Sequence, residues 1–407
     1  MAKVCMNPAS APLSRFARQT IQKRGLYPPE LLSQTLDRAL YKRRTLNCES
    51  DPMADLRPSA HSKALILLAV CISAIVLPLS FTGGAVATPS IAREFRGGAE
   101  SLMWITNAFM LTIGSLLLAA GSLADKLGRK QIFKIGMVLF AGTSIALCMA
   151  QAIGVFNGLR ALQGVAAALA LASGTAALAQ EFEGHARTRA FSLLGTTFGI
   201  GLAFGPVVAG VLIELSGWRA IFAVTAALSV VSLLFGVPRM RETRDTDAAP
   251  LDAIGILTFS AALGVFTFAL IKGPQTGWIS AEVAGLVAAA VALGAWFVKV
   301  ELRLARPMLD LRLFRISRFV GVQMLPIGTC YGYIVLVVLL PLRLIGIEGM
   351  TELDAGWIMM ALSAPMLVVP SIAAMLTRWI SPGALSGLGF LISAAGLQWL
   401  RMAGAPG

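Results

Sequence analysis

Apolar residues run along this chain in stretches of about 20, each ended by a short polar or charged segment. That length crosses about 30 Å of hydrocarbon as helix. Eleven such spans are expected, at roughly 65–87, 102–123, 132–152, 154–180, 190–214, 218–237, 253–272, 280–298, 319–345, 354–376 and 384–400. The first long apolar run starts near Ala64, too late for a secretory signal peptide. Upstream of it, Leu32, Leu36 and Leu40 share one helical face, with Glu30 near the start and Lys42, Arg43 and Arg44 at the end. An amphipathic helix on the inner leaflet is one reading of that segment. The others are an unstructured tail, or Met53 as the initiator.

Composition agrees with the pattern. Hydrophobic residues make up 57% of the 407 and charged residues 14%, whereas soluble domains carry about 25% charged residues. The net charge of +13 changes the picture only through where it sits. The loops after spans two, four, six, eight and ten hold sixteen Lys and Arg: Lys126, Arg129, Lys130, Lys134, Arg187, Arg189, Arg239, Arg241, Arg244, Lys299, Arg303, Arg306, Arg312, Arg315, Arg318 and Arg378. The other loops hold five: Arg93, Arg96, Arg219, Lys272 and Arg343. The even-numbered loops and the N-terminus are therefore expected on the cytoplasmic side. Nucleic acid is not an expected partner. The five cysteines form no CxxC pair and the two histidines lie far apart, so no disulfide framework, metal site or haem site follows. No P-loop is present in this sequence, so nucleotide-driven transport would need a separate subunit.

Three charged or glycine-rich motifs interrupt the apolar runs. Between spans two and three, GSLADKLGRK sets Gly121, Leu123, Asp125, Lys126, Gly128, Arg129 and Lys130 in one short turn. Orientation by positive charge explains the Lys and Arg. The glycines would allow close approach and tight geometry, and Asp125 would sit at a helix N-terminus or against Arg129. In span four, Arg160 stands inside an apolar helix, followed by Gln163 and Gly164. A mid-membrane Arg costs about 2.5–3.5 kcal/mol on insertion scales, so it either faces a partner or cavity or snorkels outward. In span five, Gly201, Gly205, Pro206 and Gly210 lie at spacings that let helices touch closely.

Together these stretches resemble the major facilitator superfamily, over roughly residues 64 to 400. The loop resembles its signature G-x-L-x-D-[RK]-x-G-[RK]-[RK], a gate-side contact between helix bundles in that family. Arg160, Gln163 and Gly164 resemble its RxxQG helix, whose Arg is implicated in proton coupling. The span-five motif resembles the GxxxGPxxGG signature of its exporters, with Ala209 where a glycine is usual. Eight spans followed by RPMLDLRLFRISRF (Arg306 to Phe319) resemble the fourteen-helix drug:proton antiporters. The fold expected from this resemblance is an all-α polytopic membrane protein of major-facilitator-type helix bundles. It would comprise an N-terminal extension at 1–63, a six-helix bundle at 64–237, a two-helix linker at 238–300 and a partial second bundle of three helices at 301–407.

The expected function is proton-coupled efflux of lipophilic or cationic drugs or metabolites, in a bacterial inner membrane. No cofactor beyond the proton gradient and no enzymatic activity are implied; the partners are a small-molecule substrate and the lipid bilayer. Candidate cavity residues are Trp104, Asn107, Phe109, Tyr331 and Tyr333, since aromatic side chains suit apolar or cationic ligands. Two departures stand beside the resemblance. Counting back from Pro89, Ser80 occupies the place where the fourteen-helix family usually has Asp. Glu181, Glu183, Glu214, Glu301, Glu348 and Asp354 all fall near span ends. The second departure is eleven spans instead of fourteen, so the alternative is a truncated, transport-inactive remnant or a membrane partner protein.

Overall fold

A segment in lipid has no water to satisfy its peptide groups, so it must hydrogen-bond to itself as helix. The computed structural model of the chain, which describes residues 60–244, 252–304, 309, 311–376 and 379–403, follows that rule; no strand occurs among these residues. The helices are α1 (Ala60–Phe95), α2 (Ala99–Leu127), α3 (Arg129–Cys148), α4 (Ile153–Glu181), α5 (Gly184–Ser216), α6 (Arg219–Gly236), α7 (Ala253–Thr276) and α8 (Ala281–Glu301). They continue with α9 (Ser317–Gly346), α10 (Glu352–Ser363), α11 (Pro365–Leu376) and α12 (Pro382–Ala403). Nine helices, α1 to α9, are long and apolar enough to cross a membrane among the described residues. The expected amphipathic helix near Leu32–Leu40, and Met53, lie outside them.

Side-chain caps mark several helix starts. Asp252 accepts from the Gly255 N–H at 2.8 Å, Ser280 from Val283 and Thr351 from Asp354. The structure departs from the expected spans in two ways. Helices overrun the apolar limits, with α1 and α5 reaching 36 and 33 residues, because polar end residues continue a helix into the interface. The expected tenth span is two 12-residue helices meeting at Ala364 and Pro365, where proline cannot donate into the preceding turn. A π-helical turn at Cys330–Ile334 interrupts α9.

Helices α1 to α6 pack as a bundle: α2 lies against α4, α1 against α5 and α6, and α3 against α4 and α6. Helices α7 and α8 pair with each other and touch the bundle through α2. The stacked rings of Trp104 and Phe268 lie at that contact, 6.2 Å apart. Helix α10 lies along α5, and α9 meets α1. One core cluster joins Phe81, Ile91, Phe156, Trp218 and Phe222 of the bundle to Val337 and Met359 of α9 and α10. A second, around Ile66, Phe133, Met137 and Leu178, lies toward the end that carries the Lys126–Lys134 loop, here termed the basic end.

Candidate functional site

Arg160 does not snorkel. It lies two turns into α4 with no exposed surface. Its Nε donates to the Ile105 carbonyl of α2 at 2.9 Å, and Nη1 donates to Ser80 Oγ of α1 at 3.0 Å and to Gln163 Oε1 one turn along α4. The Phe109 ring centroid is 4.5 Å from the guanidinium carbon and that of Phe222 is 5.8 Å away. Nη2 makes no hydrogen bond among the described residues and faces Gly84, where an added Cβ would stand 3.1 Å from it.

The network extends inward. Ser80 Oγ donates to Gln163 Oε1 at 3.2 Å, and Gln163 Nε2 donates to Ser144 Oγ of α3 at 2.7 Å. Thr225 of α6 lies 3.5 Å beyond. A buried charge is strongly penalised unless hydrogen-bonded, and here aromatic faces and neutral oxygens supply the whole compensation among the described residues. Gly164 makes this arrangement possible. A Cβ there would overlap Thr112 Oγ1 and the Phe109 carbonyl, and Thr112 uses the close approach to donate to the Ala161 carbonyl at 2.8 Å. Ser144 carried no sequence signal, because hydroxyls in apolar helices are common.

The α5 motif forms close helix contacts along its length. A Cβ at Gly201 would stand 2.5 Å from Pro78 Cγ, and one at Gly205 would overlap Thr82 Oγ1. At Gly210 the partner changes to α10, with the Glu352 carbonyl 2.6 Å from a built Cβ. Gly356 reciprocates, since its Cβ would sit 2.8 Å from the Pro206 carbonyl. Beside this crossing, Ser90 donates to Glu352 at 2.7 Å and Arg93 pairs with the same oxygen at 2.5 Å. Burial raises the Glu352 pKa, but the Ser90 hydroxyl and the Arg93 charge hold it below the usual carboxylate value. The end of the bundle opposite the basic end is thus shut between α1, α5 and α10.

The GSLADKLGRK stretch is helix on both sides of Gly128 rather than an extended turn. Gly128 adopts φ +116°, a conformation suited to glycine, and Glu242 lies against it. Gly121 has open space around it, so close approach is not its reason. Asp125 pairs with Arg129 at 2.9 Å. Arg129 also donates from its side chain to Gln180 at 3.0 Å and from its backbone to the Thr243 carbonyl at 3.2 Å. Gln180 in turn accepts from Thr243, and Glu181 lies 3.4 Å from Arg241. These partners belong to α4 and the segment after α6, not to a second bundle. Leu123 and Lys130 are half-buried and Lys126 is exposed.

The expected cavity residues do not converge. Phe109 is buried over Arg160. Trp104 is engaged with Phe268 of α7, and Asn107 is half-buried on α2. Tyr331 is 74% exposed, whereas Tyr333 is buried with its hydroxyl 2.8 Å from Ser363 Oγ. Two residues apart on a helix means nearly opposite faces, which is why these two tyrosines do not share a pocket.

The sequence profile of the Major Facilitator Superfamily matches residues 69–407. The chain is 28% identical over 333 residues to the tetracenomycin C resistance and export protein of Streptomyces glaucescens, covering 81% of this chain and 62% of that one. It is 29% identical over 356 residues to the multidrug efflux pump LfrA of Mycolicibacterium smegmatis, covering 87% and 70%. Over 286 residues it is 31% identical to the multidrug resistance protein Stp of Mycobacterium tuberculosis, covering 70% and 53%. The chain thus spans about half to two thirds of the length of these relatives. Among solved structures, the peptide transporter POT in complex with sulfate superposes with a TM-score of 0.55 at 15% identity, covering 77% of this chain and 68% of that one. The POT family transporter PepTSo gives 0.54 at 16%, covering 84% and 77%. These two likenesses concern the fold alone.

Proposed function

The chain belongs to the Major Facilitator Superfamily, and on that premise we propose that it works as a secondary transporter exporting lipophilic small molecules. The observation that carries the reading is Arg160. A charge buried at membrane depth and held by side chains or carbonyls of α1, α2 and α4 is costly, and a purely structural helix bundle has no need of it. Export rather than uptake is supported by the relatives named for export and efflux and by the close-packed α5 motif. The proposed energy source is the proton gradient. The basic end is proposed to face the cytoplasm of a bacterial inner membrane, from the distribution of Lys and Arg. No catalytic residue is assigned.

In this reading α1 to α6 form one rocking body, and the contacts of α5 with α10 form the closed side of an alternating-access cycle. The Asp125–Arg129 pair and its partners Gln180 and Thr243 would brace the basic end of that body, with exchange of these contacts accompanying closure there.

The test is accumulation of the neutral dye Nile red in bacterial cells stripped of their own multidrug pumps. Cells making the chain are expected to hold less dye than vector controls. Arg160→Ala at equal expression should lower efflux at least tenfold, about 1.4 kcal/mol in barrier. Equal accumulation in wild-type and vector cells, or full activity of Arg160→Ala, would overturn the reading.

A further inference from the structure

Three charged side chains are buried among the described residues: Arg160, Glu181 and Glu301. Glu181 ends α4, about 30 Å along the helix from Arg160 at 1.5 Å per residue, and stands next to Arg241. Glu301 ends α8, outside the six-helix bundle. Arg160 is therefore the one charge buried inside that bundle away from its basic end among the described residues. Its neighbours there are the hydroxyl of Ser80, the amide of Gln163, the Ile105 carbonyl and two aromatic rings. All are neutral. Hydrogen bonds and ring faces lower the cost of the charge without cancelling its field, which a carboxylate would do.

Ser80 lies on α1, which packs against α4, α5 and α6 and also against α9. Phe109 and Phe222, whose rings lie over the guanidinium, share one buried cluster with Phe81 of α1 and Val337 of α9. Packed helix axes are about 8–10 Å apart, so the guanidinium stands about one helix away from the contact between the six-helix body and α9. At roughly 10 Å and an effective dielectric of about 20, one unit charge changes the affinity of another by on the order of tenfold.

We infer that Ser80 sets charge selection in the transport path: its neutral hydroxyl leaves Arg160 uncompensated, so the preferred substrates are neutral or anionic amphiphiles and organic cations are disfavoured. The inference rests on the transporter reading and narrows the substrate class beyond the lipophilic or cationic one that the sequence suggested.

The test uses two xanthene dyes of opposite charge, fluorescein (anionic) and rhodamine 6G (cationic). Their binding to the purified full chain is read by anisotropy, and their efflux is read in the same pump-deficient cells. Wild type is expected to bind fluorescein about a hundredfold more tightly than rhodamine 6G, about tenfold from attraction of the anion and about tenfold from repulsion of the cation. Ser80→Asp, which sets a carboxylate against Arg160, should shift the ratio toward the cation by about a hundredfold. Ser80→Asn, similar in size and neutral, should leave the ratio within about twofold of wild type. A wild type that binds the cation as tightly as the anion overturns the inference without recourse to any variant. So does equal behaviour of Ser80→Asp and Ser80→Asn. Charge-selective binding without efflux of either dye would keep the selection rule and count against the transporter reading. Absence of both binding and efflux in wild type and variants alike would remove that reading and the inference with it.

Discussion

At the scale of single residues, Arg160 and Gly164 show what kind of information a sequence holds about a site. Arg160 could be picked out because a charge in an apolar run must be answered by something, and the structure answers it with Ser80, Gln163 and Ile105. The identity of those partners could not be read, since they come from positions 80 and 105 as well as 163, and Ser144 enters only through Gln163. Ser80 could be located by counting from Pro89, but its hydrogen bonds to both Arg160 and Gln163 are properties of the fold. Gly164 has a purely steric role, which gives a sharp expectation. Gly164→Ala must part α2 from α4 or displace Thr112, and overpacking of that kind costs about 1–3 kcal/mol. Gly158, on the same helix, has open space around it, and Gly158→Ala should leave stability nearly unchanged. Thermal unfolding in detergent compares the two. Equal midpoints would show that the α2–α4 contact is looser than described.

At the scale of elements, apolar run length identified the spans well and their ends poorly. The charges of GSLADKLGRK read as a turn, yet α2 continues through Asp125 and Lys126 to Leu127, because a helix can leave the hydrocarbon without ending. The glycine spacing of α5 was legible as a close-packing face. Its partners, α1 for Gly201 and Gly205 and α10 for Gly210, were not, since one helix can present such a face to any neighbour. The α1–α5 contact is testable as a coupled pair. Gly205→Ala alone places a methyl on Thr82 Oγ1 and should lower stability by about 1–3 kcal/mol. Thr82→Ala removes the γ-methyl and the hydroxyl, which donates to the Pro78 carbonyl at 2.9 Å. In the double variant most of the loss should be recovered, which a double-mutant cycle in detergent would read as favourable coupling. Strict additivity would contradict the contact.

At the scale of the whole molecule, polarity patterning gave the membrane class and the side on which positive charge gathers, but not which end of the bundle is shut. That depends on contacts between residues far apart in sequence, such as Ser90 and Arg93 with Glu352, and Gly210 with Gly356. The signature loop, expected to bridge bundles, instead holds to Gln180 and Thr243 of its own neighbourhood. Closure at one end with local contacts at the other is the asymmetry that an alternating-access cycle requires of any single state. In the proposed cycle, the end holding Glu352 must open for transport. The most direct measurement is dye efflux from proteoliposomes carrying Ser90→Cys/Glu352→Cys, in a background without native cysteines, joined by a short reducible thiol cross-linker. Transport of Nile red should stop on cross-linking and return on reduction. Transport that continues unchanged with the two residues joined would show that this end need not open.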